Sequence, residues 1–259
     1  SVVIPTLGRG SLTDALASVR DQEVAVDVIV VNDSGTPLAS VPGVRVIDTP
    51  GRLGPAAARN AGLAAATGDF VAFLDDDDQW LPGHLRAALT ALDADPGADI
   101  YFCRGLVLQG DSARIVPVEP LGDRTIADYL YEPASWRSRS RRILTPTLVF
   151  RAAWARHTMD VTLPAGEDTW WLLTAEAAGA KVIHGRRAGA LVYGDDARDR
   201  ERRAARDRLD WARRIDDVVP GAAQTSFIAQ RGRDAARRGD VGGVLANARA
   251  ARTFGPLTR

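Results

Sequence analysis

The sequence predicts an α/β fold: a mostly parallel central sheet with helices on both faces, followed by a C-terminal helical appendage. Two observations predict it. Short, nearly uninterrupted apolar runs recur at 1–6, 26–31, 44–47 and 69–74, and helix-like segments stand between most of them. Strands covered on both faces read as continuous apolar runs, and strand–helix alternation is the pattern of parallel sheets with crossover helices. The 259 residues, 46% hydrophobic and 25% charged, suit one large domain plus an extension. The division expected is 1–195 for the sheet domain and 196–259 for the helical extension.

Each element has its own signal. Val2-Val3-Ile4-Pro5-Thr6 is a buried strand stopped by Pro5, and Ser11 or Thr13 can cap a helix carrying Leu12, Ala15, Leu16 and Val19. Val26 to Val31 ends in the polar turn Asn32-Asp33-Ser34-Gly35, and Val44 to Ile47 is broken by Thr49-Pro50-Gly51. Gly54 to Ala66 is an Ala-rich helix, and Asp69 leads into the strand that ends in Asp75-Asp76-Asp77-Asp78. Pro82 opens the next helix, and Asp99 to Leu108 is another strand. Residues 110–145 are read as irregular, with Arg137, Arg139, Arg141 and Arg142 forming a surface loop or a lid over an anion. Ile143 to Phe150 is extended around Pro146, Pro164 starts a helix running to about Ala178, and Val182–His184 and Ala190–Tyr193 are two short strands. Residues 196–259 read as charged helices that could serve as a dimer arm.

Bulk properties exclude several classes. Lys+Arg and Asp+Glu are both 33, so no general attraction to nucleic acid or anionic membrane is expected. One cysteine, Cys103, rules out an internal disulfide and a cysteine-based zinc site. No apolar run approaches the roughly 18 residues that span a bilayer. No secretory leader is visible, and the chain opens at Ser1 already inside a strand. A cytoplasmic protein is the expectation.

The chemistry centres on the four consecutive aspartates. Like charges repel unless a cation sits on them, and Mg²⁺ or Mn²⁺ prefers carboxylate and phosphate oxygens. An acidic turn is the plainer reading, and the neighbouring segments decide between the two. In a parallel sheet the ends of the first strands, at Thr6, Asp33 and Asp75, converge on one crevice, where ligands of such sheets bind. Asp33 can accept a hydrogen bond from a base or ribose, and Asp77, helped by Asp75 or Asp76, can hold a metal on a diphosphate. Asp168 at a helix start can act as a general base.

Five segments together resemble the family 2 glycosyltransferases of the GT-A fold. They are Val2-Val3-Ile4-Pro5-Thr6, Val30-Val31-Asn32-Asp33-Ser34, Ala58-Arg59-Asn60-Ala61-Gly62, Phe73 to Pro82, and Gly166-Glu167-Asp168. The resemblance implies inverting transfer of a sugar from a nucleoside diphosphate sugar of the UDP or dTDP type, with Mn²⁺ or Mg²⁺ as cofactor. It implies that Asp33 contacts the base, and that Pro5, Thr6 and Arg59 line the nucleotide pocket. It makes Asp75 and Asp77 the ends of an Asp-x-Asp motif, with Asp77 the metal ligand and Asp76 beside ribose or sugar. Asp168 matches the base that deprotonates the acceptor, which is expected to be a small molecule or saccharide rather than a lipid. Asn32 departs from the Asp common in that family. His184, Asp195 and Asp196 are further metal-shell candidates whose plainer roles are structural or turn-forming, and Trp80, Trp170 and Trp171 are expected to pack in the core. The rival readings are a nucleotidyltransferase acting on a sugar phosphate, which releases pyrophosphate, and a non-catalytic sugar-nucleotide-binding protein.

Overall fold

The computed structural model describes residues 1–109, 112–131, 141–163 and 165–194. The expected C-terminal extension, Asp195, Asp196, Arg137, Arg139 and Pro164 lie outside them. The elements are β1 (Val2–Thr6), α1 (Leu12–Arg20), β2 (Val28–Asn32), β3 (Val44–Asp48), α2 (Pro55–Ala65), β4 (Phe70–Phe73), β5 (Gln79–Trp80) and α3 (His84–Ala94). Then come β6 (Ile100–Gln109), β7 (Ser112–Val116), α4 (Ile126–Tyr131), β8 (Val149–Arg151), α5 (Glu167–Ala177) and β9 (Val182–Tyr193).

One sheet runs in the order β3-β2-β1-β4-β8-β6-β9-β5, with β7 paired to β6 off that path. Its first four strands are parallel. Beyond β4 the sheet is mixed: β8 lies antiparallel to both β4 and β6, and β9 is parallel to β6. The apolar runs that predict parallel strands therefore describe one half of the sheet. In the other half β6 is the expected apolar strand, whereas β5, β7, β8 and β9 are shorter, more polar or interrupted.

Both faces are covered, as continuous apolar strands require. Val3, Ile29, Val31, Val71 and Phe73 face a core shared with α2, α4 and α5, whose largest buried side chain is Trp171. Val2, Ile4, Val28, Val30, Ala72 and Leu74 face the core shared with α1 and α3, which includes Trp80. Helix α2 lies close on β1: a Cβ on Gly62 would meet Val3 Cγ1 at 2.2 Å. Pro5 is tolerated in a central strand because β1 leaves β4 after Val3, so its missing N–H breaks no ladder bond on that side.

Four local expectations change. Val182–His184 and Ala190–Tyr193 belong to one strand, β9, which crosses Gly185-Arg186-Arg187 through a register shift against Cys103 to Gly105. Bulges of this kind hide a strand from periodicity because they break its alternation. Residues 110–145 hold β7 and α4 among the described residues. The helix expected from Pro82 starts at His84, because Gly83 takes the left-handed conformation at φ 79°. Likewise α5 starts at Glu167, behind Gly166 at φ 81°.

Candidate active site

The parallel half delivers its strand ends to one edge. Thr6 pairs with Asn32 at the tips of β1 and β2, and the aspartate run follows β4 directly. Pro5 sits beside Val31 in that register.

Asp33 is 3% exposed, and its carboxylate closes the loop ahead of α2. Oδ1 accepts from the Thr49 hydroxyl at 2.6 Å and the Leu53 amide at 3.0 Å, and Oδ2 accepts from the Gly54 amide at 2.8 Å. A carboxylate offers about four acceptor sites, and these bonds fill three of them. Asn32 donates to Asp48 Oδ1 and to the Thr36 carbonyl, both at 2.7 Å. An amide can donate there and a carboxylate cannot, so Asn32 suits its place.

The four aspartates divide their labour. Asp75 accepts from Arg59 Nη2 at 2.5 Å. Asp76 is buried, taking the Thr6 hydroxyl at 2.5 Å on Oδ2 and Arg9 Nη1 at 2.9 Å on Oδ1. Asp77, whose side chain is 29% exposed, takes the same Arg9 nitrogen at 2.7 Å. Asp78 accepts from the backbone amide of Tyr193, which fixes the end of the run to β9.

Arg59 joins this run to α5. Its Nη1 donates to Glu167 Oε1 at 2.7 Å while Nη2 holds Asp75, and the side chain is buried over Phe73. Burial alone would lower the Arg59 pKa, but the charges of Asp75, Glu167 and Asp168 hold it above the usual value. Burial, and then the charge of Asp168, push the Glu167 carboxyl up, while Arg59 opposes both. Next to Glu167, Asp168 accepts from the Thr145 hydroxyl at 2.5 Å on Oδ2 and from the Thr169 amide at 2.6 Å on Oδ1. A pocket beside it is lined by Thr145, Asp168 and Thr169 together with Leu130, Ile143, Leu148 and Leu172. Arg59 thus links the aspartate run to the start of α5, where Asp168 stands next to Glu167. The sequence gives no role to Arg9 and names Glu167 only within Gly166-Glu167-Asp168. The signal was available: four aspartates need more positive charge than one arginine supplies, and an acid beside Asp168 needs a partner.

The remaining candidates fall elsewhere. His184 stacks on Phe102 at 4.5 Å and accepts the Leu121 amide on Nδ1, and burial, then Arg104 and Arg186, push its pKa down to about 4. That is a structural histidine. Trp80 and Trp171 are buried and donate to the carbonyls of Pro146 and His157. Among the described residues, no group of three His, Cys, Asp or Glu side chains is placed to hold a metal alone. The partly exposed carboxylates of Asp75 and Asp77 are hard oxygen donors, so they fit Mg²⁺ or Mn²⁺ if ligand oxygens complete the shell.

The chain is 31% identical over 150 residues to the amylovoran biosynthesis glycosyltransferase AmsB of Erwinia amylovora, covering 51% of this chain and 50% of that one. It is 32% identical over 190 residues to the pre-mycofactocin glycosyltransferase of Mycobacterium tuberculosis, covering 68% of this chain and 39% of that one. The chain therefore spans half or less of these relatives' length. Among solved structures it is similar to S. aureus TarS 1-349 in complex with UDP-GlcNAc, with a TM-score of 0.63, 18% identity, and coverage of 86% of this chain and 65% of that one. It is also similar to the mannosyltransferase PcManGT of Pyrobaculum calidifontis in complex with GDP-Man and Mn2+, with a TM-score of 0.61, 18% identity, and coverage of 99% and 75%. At such identities the structural likeness speaks for the fold, which is the GT-A type expected from the sequence. The sequence profile described as "Glycosyl transferase family 2" matches residues 1–156, more than half of the chain, and on that ground the protein belongs to glycosyl transferase family 2.

Proposed function

We propose that the chain transfers a sugar from a nucleoside diphosphate sugar to an acceptor nucleophile, with inversion at the anomeric carbon. One observation supports this reading best: Arg59 bonds both Asp75 and Glu167, which ties the aspartate run to the start of α5, where Asp168 stands. Nucleotide sugars bound to two proteins of the same fold support the donor class.

The residues divide into a donor side and an acceptor side. Pro5, Thr6 and Asp33 form the crevice wall for the nucleotide, with Asp33 offering its remaining acceptor to base or ribose. Asp77, assisted by Asp75, would hold Mn²⁺ or Mg²⁺. That cation, when bound, would supply positive charge to the diphosphate leaving group. Arg59 keeps Asp75 in place from below, and Asp76 stays tied to Thr6 beside the donor.

On the acceptor side Asp168 takes the proton. Thr145 and the Thr169 amide orient its two oxygens from the protein side. A general base must lie within about 3 Å of the proton it removes. The acceptor's oxygen or nitrogen attacks the anomeric carbon opposite the leaving diphosphate, and its proton passes to Asp168. A single displacement inverts the centre, so no covalent glycosyl-enzyme is needed.

Two variants test this. Asp168→Asn should keep nucleotide binding and lose transfer by about 10²–10⁴-fold, the usual contribution of a general base. Asp77→Ala should lose the Mn²⁺-dependent part of nucleotide binding by calorimetry. An unchanged turnover number in Asp168→Asn removes that residue from the role, and unchanged metal-dependent affinity in Asp77→Ala removes the metal site.

A further inference from the structure

We propose that Arg9 serves two anions in turn: it is the resident counter-ion of Asp76 and Asp77, and it becomes a ligand of the donor's diphosphate when a divalent cation takes Asp77. The inference rests on the metal-dependent donor reading above. It starts from a single nitrogen. Arg9 Nη1 donates to Asp76 Oδ1 at 2.9 Å and to Asp77 Oδ2 at 2.7 Å. A guanidinium carries five N–H donors, so among the described residues the Nη2 and Nε donors remain for another acceptor.

The placement suits exchange. The Arg9 side chain is 47% exposed, against 5% for Arg59 on the same run. Residues 7–10 are all exposed, and Gly8 takes a positive φ of 78°. The pair with Asp77 is partly exposed and worth at most about 1 kcal/mol, and buried Asp76 keeps the Thr6 hydroxyl when Arg9 swings away.

Electrostatics supplies the drive. A divalent cation on Asp77 would sit within about 2–2.6 Å of a carboxylate oxygen. The Arg9 nitrogen already lies 2.7 Å from that same carboxylate. Two cations cannot share it without repulsion, and the doubly charged ion with a phosphate shell prevails. The displaced guanidinium then lies beside a diphosphate, whose oxygens match its planar fork. Arg9 thereby offsets part of the aspartates' charge before the donor arrives and adds a phosphate contact afterwards.

Arg9→Gln and Arg9→Lys test both halves without measuring turnover. Mn²⁺ binding is followed by loss of the free-ion electron paramagnetic resonance signal, without nucleotide. Binding of UDP, GDP and the matching nucleosides is followed by calorimetry with Mn²⁺ present. Arg9→Gln should bind Mn²⁺ alone several-fold more tightly, and should bind the preferred diphosphate about tenfold more weakly, one charged hydrogen bond's worth. Nucleoside affinity should not change, and Arg9→Lys should restore part of the diphosphate affinity. Unchanged Mn²⁺ and diphosphate affinities in Arg9→Gln overturn the inference alone. A parallel fall for the nucleoside also overturns it, by showing general damage to the crevice. A wild-type chain that binds neither diphosphate overturns the donor reading as well.

Discussion

Two arginines grip one run of aspartates, one buried and one about half exposed, and their surroundings make them different devices. Arg59 is buried between β4 and α5 and spends its two terminal nitrogens on Asp75 and Glu167. Arg9 lies at the rim with nearly half its side chain in solvent. The same chemical fork is a brace where water is excluded and a replaceable counter-ion where water competes. Removing one partner of a buried pair strands the other charge, whereas an exposed pair dissolves at little cost.

Three measurements sharpen or break that contrast. Arg59→Ala should show the largest effect, a loss of about 3–5 kcal/mol in denaturant unfolding, because Asp75 and Glu167 lose their buried cation. A loss under about 1 kcal/mol would mean that Arg59 is no more a brace than Arg9.

The second effect concerns charge kept out of the fold altogether. His84 is buried beside Cys103, and burial pushes its pKa down to about 4. The unfolded residue titrates near 6.5, so the unfolded state binds the extra proton first. The neutral His84 therefore contributes stability in full above about pH 6.5, and that contribution fades as pH falls to about 4, by about 3 kcal/mol in total. The difference in stability between wild type and His84→Gln, followed by denaturation across this window, should shrink on acidification. A difference independent of pH would show that His84 is not held neutral.

The smallest effect is expected at the half-exposed arginine. Arg9→Ala should cost about 1–2 kcal/mol in unfolding free energy, because Asp77 is partly exposed and buried Asp76 keeps the Thr6 hydroxyl. A loss comparable to that of Arg59→Ala would end the distinction between the two regions.

Legibility in the sequence follows the same division between buried and exposed. Val28–Asn32 is plain because every residue of the strand is buried and all but the last are apolar. Strand β9 is not, because Gly185-Arg186-Arg187 interrupts it at a bulge that only pairing with β6 reveals. The two-residue strand β5 carries too short a pattern to detect. The aspartate run, Asp33 and Asp168 were legible as acids at element ends. Arg9 stands in a glycine-flanked loop, and its meaning depends on Asp76 and Asp77, about seventy positions away. Arg59 was expected in the nucleotide pocket by resemblance. Its observed partners, Asp75 and Glu167, come from two segments that the chain alone does not bring together.

Asp33 couples two jobs that mutagenesis would otherwise treat as separate. Its oxygens hold the amides of Leu53 and Gly54, the residues that launch the helix on which Arg59 rides one turn later. An altered nucleotide preference in an Asp33 variant would thus report a displaced helix as readily as a missing base contact, and only a paired readout on Arg59 would tell them apart.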